Sequence, residues 1–266
     1  MSLEREQVLA EMGLTPQWTL REQPSVARDV KIMPTCDPVS VTPPVVSEKP
    51  LRSDSHAVSS LLVTEDRSDQ LASVGWTELR QSIAECRACA LCTERQLVVP
   101  GVGDEQADWL FIGEGPGAEE DEQGEPFVGQ AGRLLDAMLL SIDLKRGNNV
   151  YITNVMKCHA TGNRAPKEAE IAACTPYLKR QIALLQPKLI VLLGRVAVHA
   201  VLGEDVSLAS LRGQPVVYRN GEQSIPVIVT YHPAYLLRTL PDKAKSWEDL
   251  CRARQLMSEI LSFGIS

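Results

Sequence analysis

The pattern of apolar and polar positions divides the chain near residue 75. Before that point apolar residues rarely recur at a fixed period. Residues 1–21, MSLEREQVLAEMGLTPQWTLR, place Val8, Leu9 and Met12 towards one side of a short helix that Gly13 and the turn at Pro16 bring to an end. Residues 22–74 are rich in Pro, Ser and Val and poor in aromatics, a composition that predicts a flexible, disordered linker. Residues 75–266 have a different texture. TELRQSIAECRACALCTER has helical character up to its cysteines, and DWLFIG (108–113) is an apolar strand ending in glycine. After a glycine-rich acidic loop the pattern predicts a helix near 131–142, the strand VYITNV, a long helix over 168–185 and the apolar strand KLIVLLG. A helix after Gly194, strands at 215–218 and 225–230, and a closing helix over about 242–263 complete the order. Strands alternating with helices imply an α/β fold with helices on both sides of a central, mostly parallel sheet. No fixed internal repeat is present.

Composition narrows the class. With 44% hydrophobic and 23% charged residues over 266 positions, a sizeable core is affordable, and no apolar run approaches the roughly twenty residues of a membrane span. The first residues lack a basic start and an apolar stretch, so no secretory signal is readable and a cytoplasmic location is expected. The net charge of −7 weighs against nucleic acid as partner, because duplex binding relies on Lys and Arg against phosphate. The imbalance is not confined to one half: residues 1–80 hold 8 basic and 12 acidic side chains, and the remainder 19 and 22.

Seven cysteines, an odd number, make a poor disulfide framework in a reducing compartment. Cys86 and Cys89 form a CxxC, and Cys158 and Cys174, with fifteen residues between them, lie beyond the first βα unit. Two close and two distant thiolates suit a zinc site or an iron–sulfur cluster alike, and spacing does not choose between them. Cys92 offers a second CxxC register, whereas Cys36 and Cys251 look incidental.

Three further segments fall at strand ends, where the functional loops of such sheets gather. The loop Gly113-Glu114-Gly115-Pro116-Gly117 brings a carboxylate and backbone amides close to any ligand, although it also reads as a tight turn; its spacing is not that of a dinucleotide loop, and Glu114 would repel phosphate. Phe127, in PFVGQAG, is one of only three phenylalanines; an aromatic there ordinarily plugs a core, but at a pocket rim it can stack on a base. Asn154 ends VYITN, where asparagine commonly caps a turn, yet a carboxamide also sets a donor beside an acceptor and so matches the O4 and N3–H edge of uracil. His232 precedes Pro233, which holds its backbone extended. Tyr235, Leu236, Leu237 and Arg238 follow as an apolar tip and a cation, suited to wedging into DNA and holding a phosphate.

Taken together, CRAC, GEGPGAEED, PFVGQAG, ITNVMKC, NRAPKEAE and HPAYLLR resemble the family-4 uracil-DNA glycosylases, the iron–sulfur branch of that superfamily, over roughly residues 80–264. The resemblance implies a three-layer α/β sandwich of the uracil-DNA glycosylase type and a [4Fe–4S] cluster held by Cys86, Cys89, Cys158 and Cys174, with Cys92 a bystander. It further implies that Glu114 and the Gly115 backbone position the hydrolytic water, Phe127 stacks on a flipped base, Asn154 reads its edge and His232 binds uracil O2. Glu120 would assist the water, and Tyr235–Arg238 would enter the minor groove. The expected partner is uracil-containing DNA, single- or double-stranded, met by a monomer close to the bacterial nucleoid. KCHATGNR departs from the family, which commonly carries an arginine and two prolines after the third cysteine. Separately, LAEMGLTPQWTLRE is similar to the opening peptide of the psi subunit of DNA polymerase III, which implies clamp-loader docking through residues 1–21. Two rival classes remain open on sequence: a noncatalytic glycosylase-like replication subunit and a redox iron–sulfur protein.

Overall fold

A computed structural model describes residues 67–203, 207–221 and 223–263. The expected peptide at 1–21, Cys36 and the linker as far as residue 66 lie outside the described residues. The folded part begins before the expected boundary at 75. A helical turn over 67–71 buries Leu71 against Leu79, Ile83 and Tyr177. Arg180 forks onto the Val74 carbonyl at 2.9 and 2.6 Å, and Arg67 donates to the Ala173 carbonyl at 2.9 Å. Polar composition concealed these anchors, because their partners lie about a hundred residues away.

Helix α1 spans Trp76–Ala84 and stops short of the cysteines, which occupy coil and a single 3-10 turn at Ala90–Thr93. The sheet contains β1 (Val102–Gly103), β2 (Trp109–Gly113), β3 (Val150–Asn154), β4 (Leu189–Leu193), β5 (Val216–Asn220) and β6 (Gln223–Thr230), in the order β1-β3-β2-β4-β6-β5. The four inner strands are parallel and the two edge strands antiparallel. All residues of β2, β3 and β4 are buried, as expected of strands covered on both faces, whereas β5 alternates burial with exposure as an edge does.

Successive side chains point to opposite faces, so each inner strand feeds two cores. Leu110, Ile112, Ile190 and Leu192 pack beneath α4 (Glu168–Leu185) and α5 (Arg195–Leu202) through Ile171, Leu178, Ile182, Ala197 and Val198. Trp109, Phe111, Val191 and Leu193 face α3 (Gln130–Leu140) and α8 (Lys243–Phe263) through Leu135, Leu139, Leu250 and Met257. The result is a helix–sheet–helix sandwich. Three short helices complete it: α2 (Ala118–Gln123), inside what the sequence suggests is only an acidic loop, α6 (Leu208–Leu211) and α7 (Pro233–Arg238), where an apolar loop was expected. Helices α1, α2 and α4 share one device at their starts. The N3 glutamates Glu78, Glu120 and Glu170 accept from the N-cap amides of Gly75, Gly117 and Lys167 at 3.0, 2.9 and 2.8 Å.

Candidate active site

Parallel pairing puts the carboxyl ends of β2, β3, β4 and β6 along one edge. Gly113 is in register with Asn154, and Leu193 with Thr230. The chain leaves these ends into a cavity of about 590 Å³ lined by Glu114, Gly115, Phe127, Asn154 and His232 among others. Five residues dispersed over more than a hundred positions of sequence thus share one wall.

Two of them hold buried polar atoms without partners: Asn154 Oδ1 and His232 Nε2. A buried polar atom left unpaired costs about 1–3 kcal/mol, so the pair marks where a ligand supplies the missing bonds. The histidine tautomer follows from its other nitrogen. Nδ1 accepts from the Ala234 amide at 3.2 Å, as the N-cap of α7, so the proton of the neutral ring sits on Nε2, facing the cavity. Burial first, and the nearby Arg238 charge second, push the ring down to about 4 against the opposing pull of Glu120, which keeps it neutral at pH 7. The cavity therefore presents a neutral N–H donor and a carboxamide acceptor. A planar ring carrying carbonyls on either side of an N–H meets both.

Phe127 closes the site as an aromatic wall, its ring centroid 5.5 Å from that of His232. Its backbone has φ 57°, a left-handed conformation rarely adopted by an aromatic residue. Arg146 holds it there, donating to the Pro126 and Phe127 carbonyls at 2.8 Å each while pairing with Asp136 at 2.9 Å. Two glycines make the room. A Cβ on Gly132 would lie 1.8 Å from the Phe127 carbonyl oxygen, and one on Gly113 would lie 2.4 Å from Asn154 Oδ1 and 2.5 Å from Phe127 Cζ. The first glycine of GEGPG thus serves the packing of Asn154 and Phe127.

Glu114 lies at the same edge, and burial raises its carboxyl above the ordinary value while the Arg195 charge pulls it down. Glu120 does not have the free carboxylate expected of a residue that assists water. One oxygen accepts from Gly117 and the other from the Val128 and Gly129 amides at 3.0 and 3.1 Å, so it fastens the GEGPG loop to the Phe127 loop. Arg164, Arg195 and Arg238 also line the cavity. Arg164 is occupied by a two-pronged pair with Glu170. Arg195 belongs to none of the sequence motifs; its place directly after β4, on the same strand-end edge, is the only local signal it carries.

The expected apolar tip is divided by helical geometry. Leu236 is 1% exposed and packs into the core with Leu250 and Met257, so it does not reach the surface, whereas Leu237 is 38% exposed. Consecutive residues of a helix turn by about 100°, which sends one inward and the next outward. Tyr235 stacks on Tyr231 at 5.0 Å and donates to Asp242 at 2.6 Å, and Arg238 is exposed.

A second, smaller cavity is walled by Cys86, Cys89, Cys92, Cys158 and Cys174, together with Ala88, Tyr177, Arg95 and Lys157. Cys251 is exposed on α8, apart from that wall. Among the described residues, no three His, Cys, Asp or Glu side chains converge as a single ion requires. The donor set is all sulfur, the soft chemistry that iron–sulfur clusters take. Arg95 donates to Cys158 Sγ at 2.9 Å and so offsets thiolate charge, and Lys157 stands on the same wall.

The sequence profile of the uracil DNA glycosylase superfamily matches residues 100–251. A type-4 uracil-DNA glycosylase of Sulfurisphaera tokodaii is 40% identical over 183 residues, covering 67% of this chain and 83% of the relative. One from Archaeoglobus fulgidus is 42% identical over 164 residues, 60% of this chain and 82% of the relative. A third, from Thermotoga maritima, is 39% identical over 182 residues, 67% and 93% of the two chains.

Proposed function

Because the chain belongs to the uracil DNA glycosylase superfamily, we propose that the strand-end cavity is where it binds a flipped deoxyuridine and hydrolyses the glycosidic bond. The protein excises uracil from DNA, a repair reaction that leaves an abasic site. The observation that carries the assignment of residues is the pair of unpartnered buried atoms, Asn154 Oδ1 and His232 Nε2. Flipping costs a few kcal/mol of unstacking, recovered in part when the base lies against Phe127. Asn154 Oδ1 accepts from N3–H. Cytosine lacks that proton at neutral pH and would leave the oxygen opposed to a lone pair.

As the bond from C1′ to the base nitrogen breaks, its electron pair moves onto the base and negative charge gathers on O2. The His232 Nε2–H donates there, stabilising the leaving group as a preorganised oxyanion donor does. Water adds to the cationic sugar at C1′. Glu114, with the Gly115 backbone beside it, orients that water and accepts its proton. Leu237 and Arg238 meet the DNA backbone and the gap left by the flipped nucleotide.

Cys86, Cys89, Cys158 and Cys174 would hold a [4Fe–4S] cluster. Its contribution is structural, tying the segment after α1 to β3 and α4, since glycosidic hydrolysis transfers no electrons. No helix among the described residues is long and apolar enough to cross a membrane. The enzyme acts as a monomer on DNA, and residues 1–21, outside the described residues, dock it on the clamp loader.

The decisive assay incubates cluster-loaded protein with a uracil-containing oligonucleotide, without divalent metal, and cleaves abasic sites with alkali. Strand cleavage at uracil is expected. An intact strand from both single-stranded and U:G substrates rejects the assignment. For docking, clamp-loader subunits are expected to be recovered on the full chain, and to be lost both on a chain lacking residues 1–21 and on Trp18→Ala. Equal recovery on all three rejects that contact alone.

A further inference from the structure

Lys157 is fully buried one residue before Cys158, and the catalytic reading leaves it without a task. Its Nζ donates to the Asn154 carbonyl at 2.6 Å, to Gln181 Oε1 at 2.7 Å and to Thr153 Oγ1 at 2.8 Å. Three acceptors surround the one nitrogen, so its N–H bonds are spent inside the protein. The acceptors are themselves tied to one point. Thr153 Oγ1 and Gln181 Nε2 donate to the Pro100 carbonyl at 3.0 and 2.7 Å, so strand β3, helix α4 and the approach to β1 meet at this lysine. No carboxylate belongs to the network.

The Asn154 peptide is therefore held from two sides. Gly113 presses against its carboxamide so closely that a Cβ would lie 2.4 Å from Oδ1, and Lys157 grips its carbonyl. Beyond β3 the ladder continues only through the amides of Val155 and Met156, which donate to the Gly113 and Glu114 carbonyls at 3.0 Å each. One edge of the Asn154–Val155 peptide is thus tied to Gly113 through the Val155 amide, and Lys157 ties its carbonyl edge.

We propose that Lys157 is a positioning residue for base recognition: by gripping the end of β3 it aligns the Asn154 carboxamide, and it joins the cysteine-lined wall to the base-reading residue. The proposal rests on the reading of Asn154 as the group that reads uracil. A strand end is the place where a backbone carbonyl loses its ladder partner, and a buried acceptor left unpaired there is costly. The lysine supplies that partner, so both edges of the peptide after Asn154 are held.

The test compares wild type, Asn154→Ala, Lys157→Met and the double variant. It measures single-turnover uracil release and inhibition by free uracil, alongside iron content and absorbance of each protein. Lys157→Met is expected to weaken both uracil inhibition and release by about tenfold, on the scale of one buried hydrogen bond, with iron content unchanged. In the Asn154→Ala background the same substitution should change them less than about twofold, since residues acting through one another are not additive. A tenfold loss that persists in that background, or no loss in the single variant, overturns the proposal. Where Lys157→Met fails to fold or loses iron, Thr153→Val takes its place, with a loss of about threefold expected from one missing acceptor. That loss must again vanish beside Asn154→Ala, and an additive or absent effect overturns the proposal equally. If Asn154→Ala itself leaves release and inhibition unchanged, the underlying reading of Asn154 has failed, and the two failures are told apart.

Discussion

His232 carries a proton placed by its backbone neighbour. Nδ1 is committed to the Ala234 amide, so the cavity meets a neutral N–H whatever the solvent pH between about 5 and 8. The folded ring is held near 4 and the unfolded one titrates at 6.5, so the native state binds the proton less readily. The linkage is therefore fully stabilising above 6.5 and is lost as pH falls towards 4. Replacing the residue by glutamine should flatten the denaturation midpoint against pH within that window, and should lower single-turnover uracil release about 10²- to 10³-fold at pH 7. A ring whose NMR shifts titrate with a midpoint above 6 would contradict the neutral donor. At Asn154 the amide type was legible in the sequence, but its unpaired oxygen was not, because pairing depends on Gly113 and Phe127 arriving beside it.

Among the elements, α7 separates stability from function within two adjacent leucines. Leu236→Ala removes a core side chain and should destabilise the fold by about 2–5 kcal/mol in chemical denaturation. Leu237→Ala, on the outer side, should stay within about 0.5 kcal/mol while lowering kcat/KM on duplex substrate more than on single strands, where no stacked partner needs displacing. Equal effects of Leu237→Ala on both substrates would remove the wedge role. The sequence HPAYLLR announced an apolar tip and a proline-fixed histidine. Only the helical turn over Pro233–Arg238, begun by proline at its first position, decided which leucine faces outward. The acidic stretch AEEDEQ shows the same limit from the other side. Its charges suggest a solvated loop, yet Glu120 accepts three backbone amides and Asp121 is buried with its carboxylate on the Gln96 amide at 2.9 and 3.1 Å.

At the scale of the molecule, the segment leaving β3 joins two cavities: Asn154 at the strand's end lines the larger, and Cys158, four residues on, lines both. Cys86→Ala and Cys158→Ala should each lose absorbance near 400 nm, roughly where thiolate-bound iron clusters absorb, and Cys92→Ala should keep it. Stoichiometric zinc without iron, in protein purified free of air, would overturn the cluster. The acidic total charge is compatible with DNA because exposed Arg195 and Arg238 stand at the cavity. The order of the longer strands and helices, the parallel interior of the sheet and the strand-end location of Glu114, Asn154 and His232 followed from the sequence alone, since period, apolar runs and chain direction are local properties that parallel pairing converts into a common edge. The anchoring of residues 67–74, the strained backbone of Phe127 under Arg146, the engagement of Glu120, the inward turn of Leu236 and the grip of Lys157 on Asn154 belong to the tertiary structure. Each depends on partners from distant segments, and the burial that makes those contacts decisive exists only once the two cores have closed on the sheet.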